Sequence, residues 1–153
     1  MKNTLYTLVA LIAFFFSTSA QAAPAPALDG GPCKTLPAGT LVVLETTEKI
    51  SSDAVTVGKV LVFRVRTNVV VDGETVIATG AIAIGRVKSI KPASFNFPEE
   101  ITLEVTYAQA VDGQQVRLNG AEQTYKGRFP RESTAVEPGQ MITGTVINNT
   151  NIF

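Results

Sequence analysis

Between Leu36 and Phe153 the apolar and polar positions alternate. Leu61, Phe63 and Val65 interleave with Val62, Arg64 and Arg66, and Ile101, Leu103, Val105 and Tyr107 interleave with Thr102, Glu104 and Thr106. A period of two sends successive side chains to opposite faces of a pleated strand, so these runs are predicted to be strands with one face in a core and the other in water. Val, Ile and Thr dominate the runs, as suits a pleated, half-buried surface. No window of similar length combines helical spacing with capping signals.

Turn signals separate the runs: Pro37-Ala38-Gly39, Val57-Gly58, Asp72-Gly73, Thr79-Gly80, Lys91-Pro92, Asp112-Gly113, Asn119-Gly120 and Pro138-Gly139. Many short strands with such punctuation predict an all-β fold in one domain, a small closed or partly open β-barrel with a β-sandwich as the alternative. Closure would also remove the exposed edges that make β proteins aggregate.

Two motifs recur. Gly80-Ala-Ile-Ala-Ile-Gly85-Arg-Val87 and Gly139-Gln-Met-Ile-Thr-Gly144-Thr-Val146 share glycines five apart and a valine two further on. Val71-Asp72-Gly73 with Val76 matches Val111-Asp112-Gly113 with Val116. Glycine inside a strand marks a bulge, a bend or close backbone approach, so Gly85 and Gly144 are expected where strands bend around a small barrel, with Gly80 and Gly139 opening them. Asp-Gly between β-branched runs suits a tight type I′ corner, so Asp72 and Asp112 are read as turn formers and not as chemical groups.

The N-terminus changes the compartment. Met1-Lys2-Asn3 is a short positive start, Leu5 to Phe16 an apolar core, and Ala20-Gln21-Ala22 a small-x-small cleavage site, the order of a secretory signal peptide. The apolar core falls short of the roughly 20 residues a spanning helix needs, so cleavage after Ala22 is expected, leaving no transmembrane helix. Residues 23–35, rich in Pro, Ala and Gly, read as a linker and residues 36–153 as the domain. The expected location is the periplasm, with release from the cell as the alternative. Cys33 is the single cysteine, so no intramolecular disulfide can form.

Composition then limits the chemistry. Of 13 basic and 13 acidic side chains, cleavage removes only Lys2, leaving 12 against 13, a net charge of −1. That balance gives no electrostatic reason to bind nucleic acid. Histidine is absent, which removes the usual general base, the commonest metal ligand and any Ser-His or Cys-His pair. Ser52 near Lys49 would be needed for a Ser-Lys hydrolase, but Ser51-Ser52-Asp53 reads as an ordinary turn. The carboxylate clusters Glu99-Glu100 and Asp72 with Glu74 lack the regular oxygen spacing of a calcium loop. No catalytic residue, metal site or cofactor is expected.

One loop stands apart. Pro92-Ala-Ser-Phe95-Asn-Phe97-Pro98 sets two aromatics between prolines, poorly suited to strand pairing. Phe95 and Phe97 are read either as a plug folded over a barrel end, the favoured reading because large apolar side chains are usually buried, or as anchors for a partner.

Taken in order, Ala38-Gly39-Thr40, Ile50-Ser-Ser-Asp53 followed by Gly58, Ile77 with Gly80 and Ile84-Gly85, Asp112-Gly113 before Val116 and Leu118, and the closing Pro138-Gly139 strand make residues 36–153 resemble the C-terminal β-barrel of the TrbI-like family. Members of that family are conjugation and type IV secretion proteins that help build an outer-membrane core complex. The resemblance implies a small barrel that assembles with itself or with envelope proteins, and it carries no catalytic residues. Unlike family members, this chain has a cleavable signal, a short linker and no helical insertion. The expected function is therefore a non-catalytic, exported envelope module acting through protein contacts. A periplasmic barrel holding a small apolar ligand is the alternative, and a hydrolase the last choice.

Overall fold

The computed structural model describes residues 33–153; the predicted signal peptide and most of the predicted linker lie outside them. The described residues are all β. The strands are β1 (Lys34–Leu36), β2 (Leu41–Thr46), β3 (Ile50–Ser51), β4 (Val60–Val65), β5 (Val69–Val71), β6 (Glu74–Ile77), β7 (Ile82–Lys91), β8 (Glu100–Gln109), β9 (Gln115–Asn119), β10 (Glu122–Lys126), β11 (Ala135–Val136), β12 (Met141–Val146) and β13 (Thr150–Ile152).

Seven strands make one sheet in the order β10-β8-β7-β4-β2-β12-β9, and a further β8–β9 pairing bends it into a ring. The long strand β8 makes closure possible. One of its edges pairs with β7 along its length, while the other pairs with β10 over Glu100–Glu104 and with β9 over Tyr107–Gln109. Between β9 and β10 the chain kinks at Gly120, which has a φ of 66°, and Val105 N–H donates to the Ala121 carbonyl at 2.8 Å to carry the ladder across the kink. Among the described residues β10 has no hydrogen-bonded strand on its other side, so the ring is that of a small, partly open barrel.

The ring contains two copies of one unit. A shift of 19 residues carries β2 and β3 onto β4 and β5, and a shift of 59 carries β6 and β7 onto β11 and β12. The pair Leu41↔Thr145 thus corresponds to Val60↔Arg86, and Ile50↔Val136 to Val69↔Ile77. The same device opens all four main strands: a turn ends in a glycine with positive φ, and that glycine and its successor exchange hydrogen bonds with the end of the antiparallel neighbour. Gly39 donates to Val146 and Val146 to Thr40, both at 2.9 Å; Gly58 donates to Val87 at 2.8 Å and Val87 to Lys59 at 3.0 Å. Gly80 with Val65 and Gly139 with Thr46 repeat the exchange at the opposite strand ends. The recurring glycine motif is therefore one half of a repeat whose other half, β2 with β4, shares little sequence.

The interior is filled by the inward residues of every ring strand. Leu44, Leu61, Phe63, Leu103 and Ile142 are all buried, so the alternation in sequence is the alternation between core and surface. Gly85 and Gly144 allow close packing inside the ring. A Cβ on Gly85 would lie 2.8 Å from Phe63 Cε2 and 2.9 Å from Val105 Cα, and one on Gly144 would lie 2.7 Å from Ala121 Cβ. The β7–β8 register also shifts at Ile84/Gly85, a local irregularity at the same glycine. Outside the ring, β1 pairs with β13, setting Lys34 opposite Ile152 and Leu36 opposite Thr150.

Candidate contact surface

The outer face of the ring departs from the polar surface that alternation implies. Register places Val62 of β4 opposite Ile84 of β7, Ile84 opposite Tyr107 of β8, and Tyr107 opposite Arg117 of β9. Ile82, one step along β7, lies on the same face. Val62 and Ile82 are each 43% exposed, so this apolar row is open to water across three neighbouring strands. A hollow of about 200 Å³ lies here, lined by Ile82, Ile84, Tyr107, Ala108, Gln109 and Gln115, and a second of about 320 Å³ lies beside Tyr107 with Arg86 and Glu104.

Charged groups border the row. Arg86 Nε donates to Glu104 Oε2 at 2.8 Å, Arg66 to Glu45 at 2.7 Å, and Arg64 donates to the Gly80 carbonyl at 2.8 Å. The Arg117 guanidinium sits 5.7 Å from the Tyr107 ring centroid, and the Tyr107 hydroxyl, accepting its hydrogen bond, raises the Arg117 pKa further above its ordinary value. The result is an apolar centre with an aromatic–arginine pair and a polar rim, the anatomy of a protein contact. Of these residues only the alternation was legible in sequence; their meeting on one face depends on the β4–β7–β8 register.

The polar residues singled out from sequence are scattered over the fold, apart from Ser52, which meets Glu99. Asp72 and Gly73 form the two-residue corner of the β5–β6 hairpin with φ values of 50° and 81°, the geometry of a type I′ turn, and the Asp72 side chain faces solvent. Asp112-Gly113, read as a second copy, is a different structure. Only Gly113 has positive φ, in a longer loop closed by Ala110 N–H to the Gln114 carbonyl at 2.9 Å. The Asp112 carboxylate accepts from the Gln114 and Phe153 amides at 2.9 and 3.1 Å and so ties the C-terminus to the β8–β9 loop. Partial burial pushes its pKa up, but these bonds and that of the Gln114 side chain outweigh burial and hold the carboxyl below its ordinary value.

Ser52 and Lys49 do not meet either. Lys49 pairs with Glu137 at 2.8 Å, whereas the buried Ser52 hydroxyl donates to Glu99 Oε2 at 2.6 Å and accepts from Thr134 N–H at 3.0 Å. The neighbouring Glu99 and Glu100 part company: Glu100 lies between Lys126 at 2.7 Å and Lys91 at 3.1 Å, and hydrogen bonds from these two lysines lower its pKa. Cys33 is exposed. Among the described residues, no three His, Cys, Asp or Glu side chains lie close enough to share a metal ion, and no helix is long and apolar enough to cross a membrane.

The favoured plug reading of Phe95 and Phe97 is corrected. The two side chains are 75% and 69% exposed and so cover no barrel end; Ser94 N–H donates to the Phe97 carbonyl at 2.8 Å, closing the Pro-bounded loop on itself. A third ring missed in sequence, Phe129, is 64% exposed on the loop between β10 and β11. It lies in a polar Gly-Arg-Phe-Pro-Arg segment with no alternation to flag it. Compared with known proteins, the chain matches no family model and no curated protein.

Proposed function

We propose that this protein is an exported, non-catalytic module of the bacterial cell envelope that works by binding other proteins through the outer wall of its barrel. The observation that carries this reading is the apolar row Val62–Ile84–Tyr107, continuous across three strands, rimmed by charge and presenting Tyr107 between two hollows. Burying such a row on a partner removes apolar area from water and desolvates an aromatic–arginine pair of the type that concentrates binding energy. The motif order that resembles TrbI-like barrels and the predicted signal peptide add the envelope and its assemblies as the setting.

A filled ring favours an outward role over carriage of an apolar ligand. Leu44, Phe63, Leu103 and Ile142 occupy the interior, whereas the two hollows beside Tyr107 lie along the outside of the strands. Lys49 is paired with Glu137 and not with Ser52, and the buried Ser52 hydroxyl is held between the Glu99 carboxylate and the Thr134 amide beside the β3–β11 pair, which favours a structural role for it over a nucleophilic one.

Light scattering after size-exclusion chromatography, with cross-linking in envelope extracts, tests the proposal. The wild-type protein is expected as a self-associated species or in a defined cross-linked complex, and Ile84→Glu is expected to abolish that species while leaving the fold intact by circular dichroism. A strictly monomeric wild type without a cross-linked partner, or an Ile84→Glu variant that assembles normally, would sink it.

A further inference from the structure

A second surface lies at one end of the barrel. Register puts Lys91 opposite Glu100 and Glu100 opposite Lys126, so the β7–β8 loop (92–99) and the β10–β11 loop (127–134) leave the sheet side by side. They are fastened together. Gly127 N–H donates to the Glu99 carbonyl at 3.0 Å, and Glu99 N–H to the Glu132 carbonyl at 3.4 Å. The Glu99 carboxylate is anchored to Ser52, and a Cβ on Gly127 would lie 2.9 Å from the Glu132 carbonyl oxygen and 3.3 Å from Pro98 Cβ. On this braced base stand Phe95, Phe97 and Phe129.

The three exposed phenylalanines stand on bonded loops: the Phe97 carbonyl accepts from Ser94 N–H at 2.8 Å, and Phe129 N–H donates to Glu132 Oε2 at 2.8 Å. Phenylalanine has no polar tip, so the surface suits an apolar medium and not a hydrogen-bonded contact. The charges around the rings are sorted by sign. Glu99 is spent on Ser52, Glu132 accepts the Phe129 N–H at 2.8 Å, and Glu100 is held between two lysines. Among the described residues, Arg128 and Arg131 form no ion pair, and the Arg131 guanidinium lies 4.9 Å from the Phe95 ring centroid. Uncompensated guanidinium groups beside apolar rings match anionic headgroups lying over hydrocarbon.

We propose that this tip docks on an anionic lipid surface, with Phe95, Phe97 and Phe129 entering the headgroup–acyl boundary and Arg128 and Arg131 meeting lipid phosphates. The site is separate from the outer wall and allows the barrel to hold a protein partner while seated on a membrane. No large conformational change is required, because the loops are already braced.

Protein purified after export, its N-terminus read by mass spectrometry, is to be sedimented with vesicles of phosphatidylglycerol and phosphatidylcholine and with vesicles of phosphatidylcholine alone. The wild type is expected to pellet with the anionic vesicles and to be released by salt. The Phe95→Ser/Phe97→Ser/Phe129→Ser variant is expected to lose at least about tenfold in partitioning, and Arg128→Glu/Arg131→Glu to lose the preference for anionic lipid. All five positions are exposed, so thermal melts monitored by circular dichroism are expected to be unchanged and serve as the folding control. A wild type that stays in the supernatant, or a triple variant that pellets equally well, would overturn the proposal. So would a photo-cross-linker at position 97 that labels a protein partner while vesicles leave the tip unprotected.

Discussion

At the scale of the single residue, similar sequence positions carry different physical demands. Asp72 sits at a φ of 50°, which asparagine tolerates as well as aspartate, and its carboxylate is exposed. Gly85 has ordinary φ but no room: any side chain would enter the space of Phe63 and the β8 backbone. Asp72→Asn is therefore expected to change stability by less than about 0.5 kcal/mol. Gly85→Val is expected to cost about 3 kcal/mol, the upper end of ordinary overpacking, and to lower the Tm by about 10 °C or cause aggregation. Chemical denaturation of the two variants beside the wild type checks both. The Asp-Gly corner was legible because type I′ geometry is a local demand. The need for glycine at position 85 was legible only as a bend, because Phe63 and Glu104 are distant in sequence.

At the scale of the element, the short β3–β11 pair is held by side chains more than by its ladder. It has two residue pairs, extended by Ser52 N–H to the Thr134 carbonyl at 2.9 Å. Ser52, Glu99 and Thr134 then form a partly buried cluster in which one hydroxyl serves both a carboxylate and an amide. Ser52→Ala takes the closer of two donors from Glu99 Oε2, leaving only the Thr134 amide at 3.3 Å, and is expected to cost about 1–3 kcal/mol. Lys49→Ala removes a surface ion pair whose lysine side chain is 61% exposed, and is expected to cost less than about 0.5 kcal/mol. Equal losses from the two substitutions, measured by urea unfolding, would contradict this account. In sequence Ser51-Ser52-Asp53 reads as a turn, which describes its backbone; the partner of the hydroxyl lies 47 residues away and carries no local signal.

At the scale of the molecule, the repeat is interleaved. The unit β4–β5–β6–β7 is continuous in the chain, whereas its counterpart is split into β2–β3 and β11–β12, with the whole first unit between them. Leu41 pairs with Thr145, so the ring cannot close until nearly the entire domain is present. One cooperative unfolding transition is expected, with coincident far- and near-ultraviolet circular dichroism curves, and refolding on the millisecond-to-second scale typical of long-range β pairing. Separate transitions for the two units would show that the interleaving does not couple them.

The sequence by itself determined the element type and where the chain turns. A period of two is a property of neighbouring residues, Asp-Gly and Pro-Gly set local backbone angles, and the lack of histidine removes whole classes of chemistry without reference to shape. The tertiary structure decided everything that depends on who stands opposite whom. It made Asp72 a free corner and Asp112 a clamp on the C-terminus, aligned Val62, Ile84 and Tyr107 into one apolar row, and turned Phe95 and Phe97 outward beside Phe129. Those outcomes follow from strand register and ring closure, which join residues as distant in the chain as Leu41 and Thr145 and leave no trace in any short window.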